Sequence, residues 1–155
     1  KKKLLSIVSS TKEFTPGHKW RLQVTQALKS YFGSDLDVFG FGFNPISCKE
    51  HAVDPYHFSI AIENSGSEFY MTEKISDVCL GSSMPIYSGA RQVNKYFNCE
   101  IPSIEYGCSP DKFCQEVRRI VDNVSINDAI LSSNKNQTLF RNNILAVVND
   151  IISFS

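Results

Sequence analysis

The chain has 155 residues, 42% of them hydrophobic, which bounds it to one domain with enough apolar mass for a core. Sixteen basic residues balance sixteen acidic ones, so no net field draws it to nucleic acid or to an anionic membrane. No apolar run is long enough to span a bilayer, and the start lacks a signal-peptide pattern, since polar residues return after Leu4, Leu5, Ile7 and Val8.

In chain order, the Lys1-Lys2-Lys3 cluster reads as a solvated terminus, and Leu4 to Ser9 as a buried strand that runs out into the polar loop Ser9-Ser10-Thr11. Pro16 and Gly17 punctuate the approach to a helix from about His18 to Phe32, with Trp20, Val24, Ala27, Leu28 and Tyr31 on one apolar face. On charge alone Arg21 is a solvated surface residue. Its place just after the first strand, however, sets it beside the crevice that open α/β sheets form at their carboxyl edge, where a guanidinium holds a pyrophosphate bidentately. Lys19 is a neighbouring candidate with weaker support. Asp37 to Gly42 reads as a second short strand and a turn; the full G-x-G-x-x-G pattern is absent, so Gly40 and Gly42 read as turn residues. Residues 44–55 read as a polar surface connection, with His51 and His57 as unspecific polar lining.

The densest chemistry lies between Tyr56 and Gly89. An apolar run, Phe58 to Ile62, reads as a buried strand, and Glu63 and Asn64 follow at its carboxyl end. After a loop with Ser65, Gly66 and Ser67, Thr72 is placed to cap a helix whose inward face is Ile75, Val78 and Cys79. A helix amino terminus with Lys74 in its first turn is an anion site and points to a phosphate. Glu73 would repel a phosphate, so its carboxylate is better suited to ribose hydroxyls. The plainer reading of Thr72-Glu73-Lys74, service to the helix dipole alone, stands beside this one. Pro85 to Tyr87 reads as a further strand, with Ser88-Gly89 as a turn that closes the pocket.

Further on, residues 91–97 read as a short helix or turn and Ile101 to Tyr106 as a last strand. A helix starts at Ser109-Pro110 and carries Phe113, Val117, Ile120, Val121 and Val124 on one face. Thr138 to Phe154 reads as an amphipathic segment that packs on the core. Strands alternating with helices call for a mostly parallel sheet covered on both faces. Five cysteines, Cys48, Cys79, Cys99, Cys108 and Cys114, have no C-x-x-C pair and fit reduced thiols better than a disulfide framework or a zinc site. That favours a cytoplasmic location, membrane-associated or not. The sequons at Asn123 and Asn136 matter only in a secretory lumen.

The stretch from Tyr56 to Gly89 resembles the donor-binding motif of the family 10 glycosyltransferases, the α1,3/4-fucosyltransferases, which runs approximately YxFxxxxENS…YxTEKxxDxxxxxxxPIYxG. Tyr56, Phe58, Glu63, Asn64, Ser65, Tyr70, Thr72, Glu73, Lys74, Asp77, Pro85, Ile86, Tyr87 and Gly89 match in order and spacing. Arg21 with Leu28 fits the family's first helix, and Asp37, Phe39 and Gly40 its VDxFG element. The resemblance implies a Rossmann-like three-layer α/β/α domain over residues 1–155, the carboxyl-terminal, donor-binding half of a GT-B enzyme. Its implied reaction is transfer of L-fucose from GDP-fucose to a glycan hydroxyl with inversion. Arg21 and Lys74 would then be catalytic, neutralising the departing diphosphate, and Glu73 would hold the ribose. Glu63, Asn64, Ser65, Tyr70 and Thr72 would complete the donor site, with Glu63 orienting the loop or contacting fucose. No tightly bound cofactor or metal is implied, and no DxD motif is present. In the family the acceptor half and its carboxylate base form a separate amino-terminal domain, so this chain reads as a fragment that meets the glycan acceptor through a missing half. In a longer eukaryotic enzyme the location would be the Golgi lumen. A GT-B domain for another nucleotide sugar and a non-catalytic nucleotide-sugar-binding module are the alternatives.

Overall fold

Four short, largely buried runs form the strands β1 (Lys3–Val8), β2 (Leu36–Phe39), β3 (Tyr56–Ile62) and β4 (Met84–Ser88). The computed structural model, which describes residues 3–81, 83–95, 100–125, 127, 128 and 134, pairs them all in parallel in the order β2-β1-β3-β4. The central strand β3 is buried on both faces at six of its seven residues, the pattern expected of a parallel sheet sandwiched between helices.

Helix α1 (Pro16–Phe32) begins where Thr15 Oγ1 accepts the amide of His18 at 3.2 Å, with Pro16 at the first position, and ends at Gly33, whose φ of 55° suits a residue without Cβ. Helix α4 (Pro110–Asn123) repeats the device with serine in place of threonine: Ser109 Oγ accepts from the amide of Lys112 at 3.3 Å. These two helices cover one face of the sheet. Val24, Leu28 and Phe32 of α1, and Phe113, Val117 and Ile120 of α4, pack on Leu5, Ile7, Phe58, Ile60 and Ile62. On the opposite face, helix α2 (Glu50–Val53) contributes Val53 and helix α3 (Glu73–Leu80) contributes Ile75, Val78 and Cys79, which pack with Ala61 and Tyr87. The expected three-layer α/β/α arrangement is therefore present, with one hydrophobic cluster on each side.

Several local expectations change. Tyr31 is half exposed, and Phe32 takes the inward position because α1 turns that face towards α4. The segment 44–55 contains the short helix α2, which no periodicity signalled because four residues make barely one turn. Residues 101–106 form a single bridge, Tyr87 to Ser103, beside β4 rather than a strand. Tyr87 donates its amide to Pro102 O and accepts from the amide of Ile104, but Pro102 has no N–H to extend the ladder. Gly40 and Gly42, at φ 111° and 81°, form the turn after β2. Residues 91–97 are described only as far as a short 3-10 turn, Val93–Lys95. The Thr138 to Phe154 segment, Cys99 and the second sequon lie outside the described residues. Cys48, Cys108 and Cys114 are free thiols, and burial pushes the Cys114 thiol up to about 11. Among the described residues no helix is long and apolar enough to cross a membrane.

At the amino ends of the strands, Asp37 accepts from Lys3 Nζ at 2.8 Å and from Tyr56 Oη at 2.6 Å, tying β2 to β1 and β3. The Lys3 and Tyr56 hydrogen bonds hold the Asp37 carboxyl below its ordinary value. A depressed carboxyl contributes stability above its unfolded pKa, and that contribution is lost as pH falls through the lower folded value. Asp37→Asn is expected to lower stability at neutral pH, where the charged carboxylate holds Lys3 and Tyr56, with the difference from the unaltered chain shrinking as pH falls below about 4, read by urea unfolding across pH.

Candidate functional site

The chain leaves β1 for α1 on one face of the sheet and leaves β3 for α3 on the other. Adjacent strands whose connections part in this way open a crevice at their carboxyl ends. A cavity of about 200 Å³ lies there, and Ser10, Arg21, Lys49, Glu73, Lys74 and Asp77 are among its lining residues.

Arg21 enters it from α1. The residue is only 6% exposed, yet no described carboxylate forms an ion pair with it. Its Nη1 donates to Asn64 Oδ1 at 2.6 Å and its Nη2 to Ser10 Oγ at 3.0 Å, while Nε is buried with no hydrogen-bond partner. Burial lowers the guanidinium from its ordinary value and the field of Glu63 opposes that shift; an arginine remains charged even so. The result is a fixed cation with unspent donor capacity beside an open cavity. Its approach is possible because residue 17 is glycine: a Cβ there would overlap the backbone carbonyl oxygen of Asn64. Trp20, one residue before Arg21, packs on Tyr106 with ring centroids 4.4 Å apart and the rings tilted at 51°, and Tyr106 in turn covers Gly66 in the loop after β3.

The opposite wall is built by Glu63, which is fully buried at the end of β3. One carboxylate oxygen accepts the backbone amide of Thr72 at 2.9 Å. The other accepts Thr72 Oγ1 at 2.8 Å and Lys74 Nζ at 3.0 Å. Lys74 also donates to Thr72 Oγ1 at 2.8 Å, which leaves the ammonium one donor for the cavity. Glu63 thus fastens the start of α3 to the sheet and aims Lys74. Gly89 completes the fit, since a Cβ at that position would lie 2.5 Å from Glu63 Cγ.

The structure therefore brings Arg21, Asn64, Glu63, Thr72, Glu73 and Lys74 together. Thr72 stands at the cap position, but its hydroxyl serves Glu63 and makes no capping bond to the helix. Glu73 is largely exposed and lies 3.8 Å from Lys49. Tyr70 is 41% exposed, and its carbonyl accepts from Tyr87 Oη at 3.5 Å. Burial pushes the Tyr87 phenol up to about 12, so it remains a donor for that contact. Ser65 and Tyr70 sit in the loop above the crevice and are not among the residues that line the cavity. Lys19 is exposed and is not among the lining residues, and neither are His51 and His57. Among the lining residues to which the sequence assigned no site role are Ser10, Lys49 and Asp77. Ser10 lies in a loop that was legible only as polar. Lys49 sits in a segment without periodicity. Asp77, one turn after Glu73, matched the donor-binding motif, but nothing in the motif gave it a role.

The protein-family model for glycosyltransferase family 10 (fucosyltransferase), C-terminal part, matches residues 1–104. Among solved structures, an α1,3-fucosyltransferase with GDP superposes with a TM-score of 0.66 at 22% identity, covering 88% of this chain and 39% of that one. An α1,3-fucosyltransferase with GDP-fucose gives 0.62 at 22% identity, over 92% of this chain and 47% of the other. A third α1,3-fucosyltransferase structure gives 0.59 at 24% identity, over 86% and 37%. The chain thus spans less than half the length of these neighbours. No curated protein matches it in sequence. With a family match over two thirds of its length and a doubly wound sheet shared with those enzymes, the chain belongs to glycosyltransferase family 10, the fucosyltransferases.

Proposed function

We propose that residues 1–155 form the donor domain of a fucosyltransferase, which binds GDP-fucose for transfer of L-fucose to a glycan hydroxyl with inversion. The observation that carries this reading is Arg21, a buried cation without a carboxylate partner among the described residues, facing a cavity that it shares with Lys74. A diphosphate supplies the missing anion, and the guanidinium fork suits it.

In the inverting displacement the glycosidic C–O bond to the diphosphate breaks as the acceptor oxygen attacks, and negative charge grows on the leaving oxygen. Arg21, Lys74 and the amino terminus of α3 face that charge from two sides and are fixed before it forms, so little reorganisation is needed. Glu73 takes the ribose hydroxyls, and Asn64 holds Arg21 in register while lining the sugar side. Ser65 and Tyr70, on the loop above, close over the donor. The acceptor and the base that takes its proton belong to the enzyme's other half. A GDP-bound and a GDP-fucose-bound relative of the same fold support this assignment of the donor.

The test is calorimetric titration of the chain with GDP, GDP-fucose and UDP. GDP and GDP-fucose are expected to bind and UDP to bind more weakly. Lys74→Ala is expected to weaken both guanine nucleotides about tenfold, the value of one charge-assisted hydrogen bond. A folded chain that binds none of the three would overturn the reading.

A further inference from the structure

The cavity extends beyond Arg21 and Lys74, over the sheet face that α2 and α3 cover. Ser6 and Ser59, inward-facing neighbours on β1 and β3, line it there with their hydroxyls hydrogen-bonded at 2.7 Å. Asp77 and Lys49 form its charged wall. Asp77 lies one turn after Glu73 on α3, and the charges run across the cavity from Lys74 to Glu73, 4.0 Å apart, and on through Lys49 to Asp77. Lys49, at the head of α2, pairs with Asp77 through Oδ2 and reaches Glu73 at 3.8 Å. No described residue donates to Asp77 Oδ1.

We infer that this deeper part of the cavity is the nucleobase pocket and that Asp77 is the residue that selects guanine. The inference rests on the donor-site reading above, which puts diphosphate at Arg21 and Lys74 and ribose at Glu73; the base then falls beside Asp77. A carboxylate is an acceptor only. Guanine presents two adjacent donors on its Watson–Crick edge, N1–H and the 2-amino group, and both can reach Asp77 through the open Oδ1 and the remaining capacity of Oδ2. Hypoxanthine keeps N1–H and lacks the amino group. Uracil offers one N–H between two carbonyl oxygens, and those oxygens would face the carboxylate unfavourably. The Ser6 and Ser59 hydroxyls rotate freely enough to donate or accept at the purine's other edge. Lys49 holds Asp77 in place and offsets the carboxylate's charge near the diphosphate.

The experiment is titration of the chain and of Asp77→Asn with GDP, IDP, UDP and inorganic pyrophosphate. The unaltered chain is expected to prefer GDP to IDP by about tenfold, since only the 2-amino contact separates them. In Asp77→Asn that ratio is expected to collapse to near one, because the amide can present a donor to the amino group, while pyrophosphate affinity stays the same. A GDP-to-IDP ratio that survives the substitution overturns the assignment of Asp77, as does a wild-type chain that binds GDP and IDP equally. Loss of pyrophosphate binding in Asp77→Asn would also overturn it, by making Asp77 a support of the diphosphate end. A wild-type chain that binds neither pyrophosphate nor any nucleotide removes the donor site and this pocket together; pyrophosphate binding with no base preference removes the pocket alone.

Discussion

Replacing Arg21 by methionine is expected to lower affinity for GDP and GDP-fucose by at least about 100-fold while the unfolding midpoint holds or rises. The two effects have one cause. A diphosphate would take two charge-assisted hydrogen bonds from the guanidinium, each worth about 1.5–3 kcal/mol. That same guanidinium is desolvated, lacks a carboxylate partner among the described residues and leaves its Nε unpaired. Replacing a buried charge by an apolar side chain of similar length is neutral to stabilising in such settings. Asn64 and Ser10 lose a donor, but both are partly exposed and water can replace it. Calorimetric affinity and urea unfolding, measured on the same preparation, read both quantities. If the substitution destabilises the chain in step with its loss of binding, Arg21 is a scaffold residue. If stability is kept and affinity is kept too, it plays no part in the site.

Glu63→Ala is expected to cost about 3 kcal/mol of stability, the largest effect of any single site substitution. It removes the acceptor for the Thr72 amide, the Thr72 hydroxyl and the Lys74 ammonium together, and it leaves a hole beneath Gly89. Breaking a fully buried ion pair costs about 3–5 kcal/mol, and the low end applies because the Lys74 side chain is 22% exposed and regains some water. Glu63→Gln keeps the shape and one carbonyl oxygen, so it is expected to lose roughly half as much. Because Glu63 aims Lys74, both variants should also weaken GDP binding, the alanine variant more. Urea unfolding at neutral pH decides the matter. A loss below about 1 kcal/mol for Glu63→Ala would mean that the start of α3 is held by its own packing and not by this carboxylate.

These two residues show how far the sequence could be read. Arg21 was legible because it follows a strand and a Pro-Gly turn, which puts it at the crevice whatever the fold's details. That it is buried without a carboxylate partner was not legible, since that depends on which face of α1 meets the loop after β3 and on Gly17 permitting the approach. Glu63 was placed at a strand end by the apolar run before it, but its three partners come from the loop that brings Thr72 and Lys74 back over β3. Thr72 illustrates the limit directly: local sequence assigns its hydroxyl to a helix cap, and the tertiary structure gives it to Glu63 instead, because a buried carboxylate is the stronger acceptor. Lys49 was illegible altogether, for a four-residue helix has no period to detect and its lysine looks like any solvated charge.

Most strand runs and helices, and their alternation, were determined by the sequence alone, because short apolar runs, period-3.6 apolar patterns and the Ser-Pro start are local properties. The strand order β2-β1-β3-β4, and with it the crevice, was decided only in three dimensions. The choice of strand neighbours depends on burying both faces of the sheet at once, with α1 and α4 on one side and α2 and α3 on the other. That is a global condition, and no window of residues carries it.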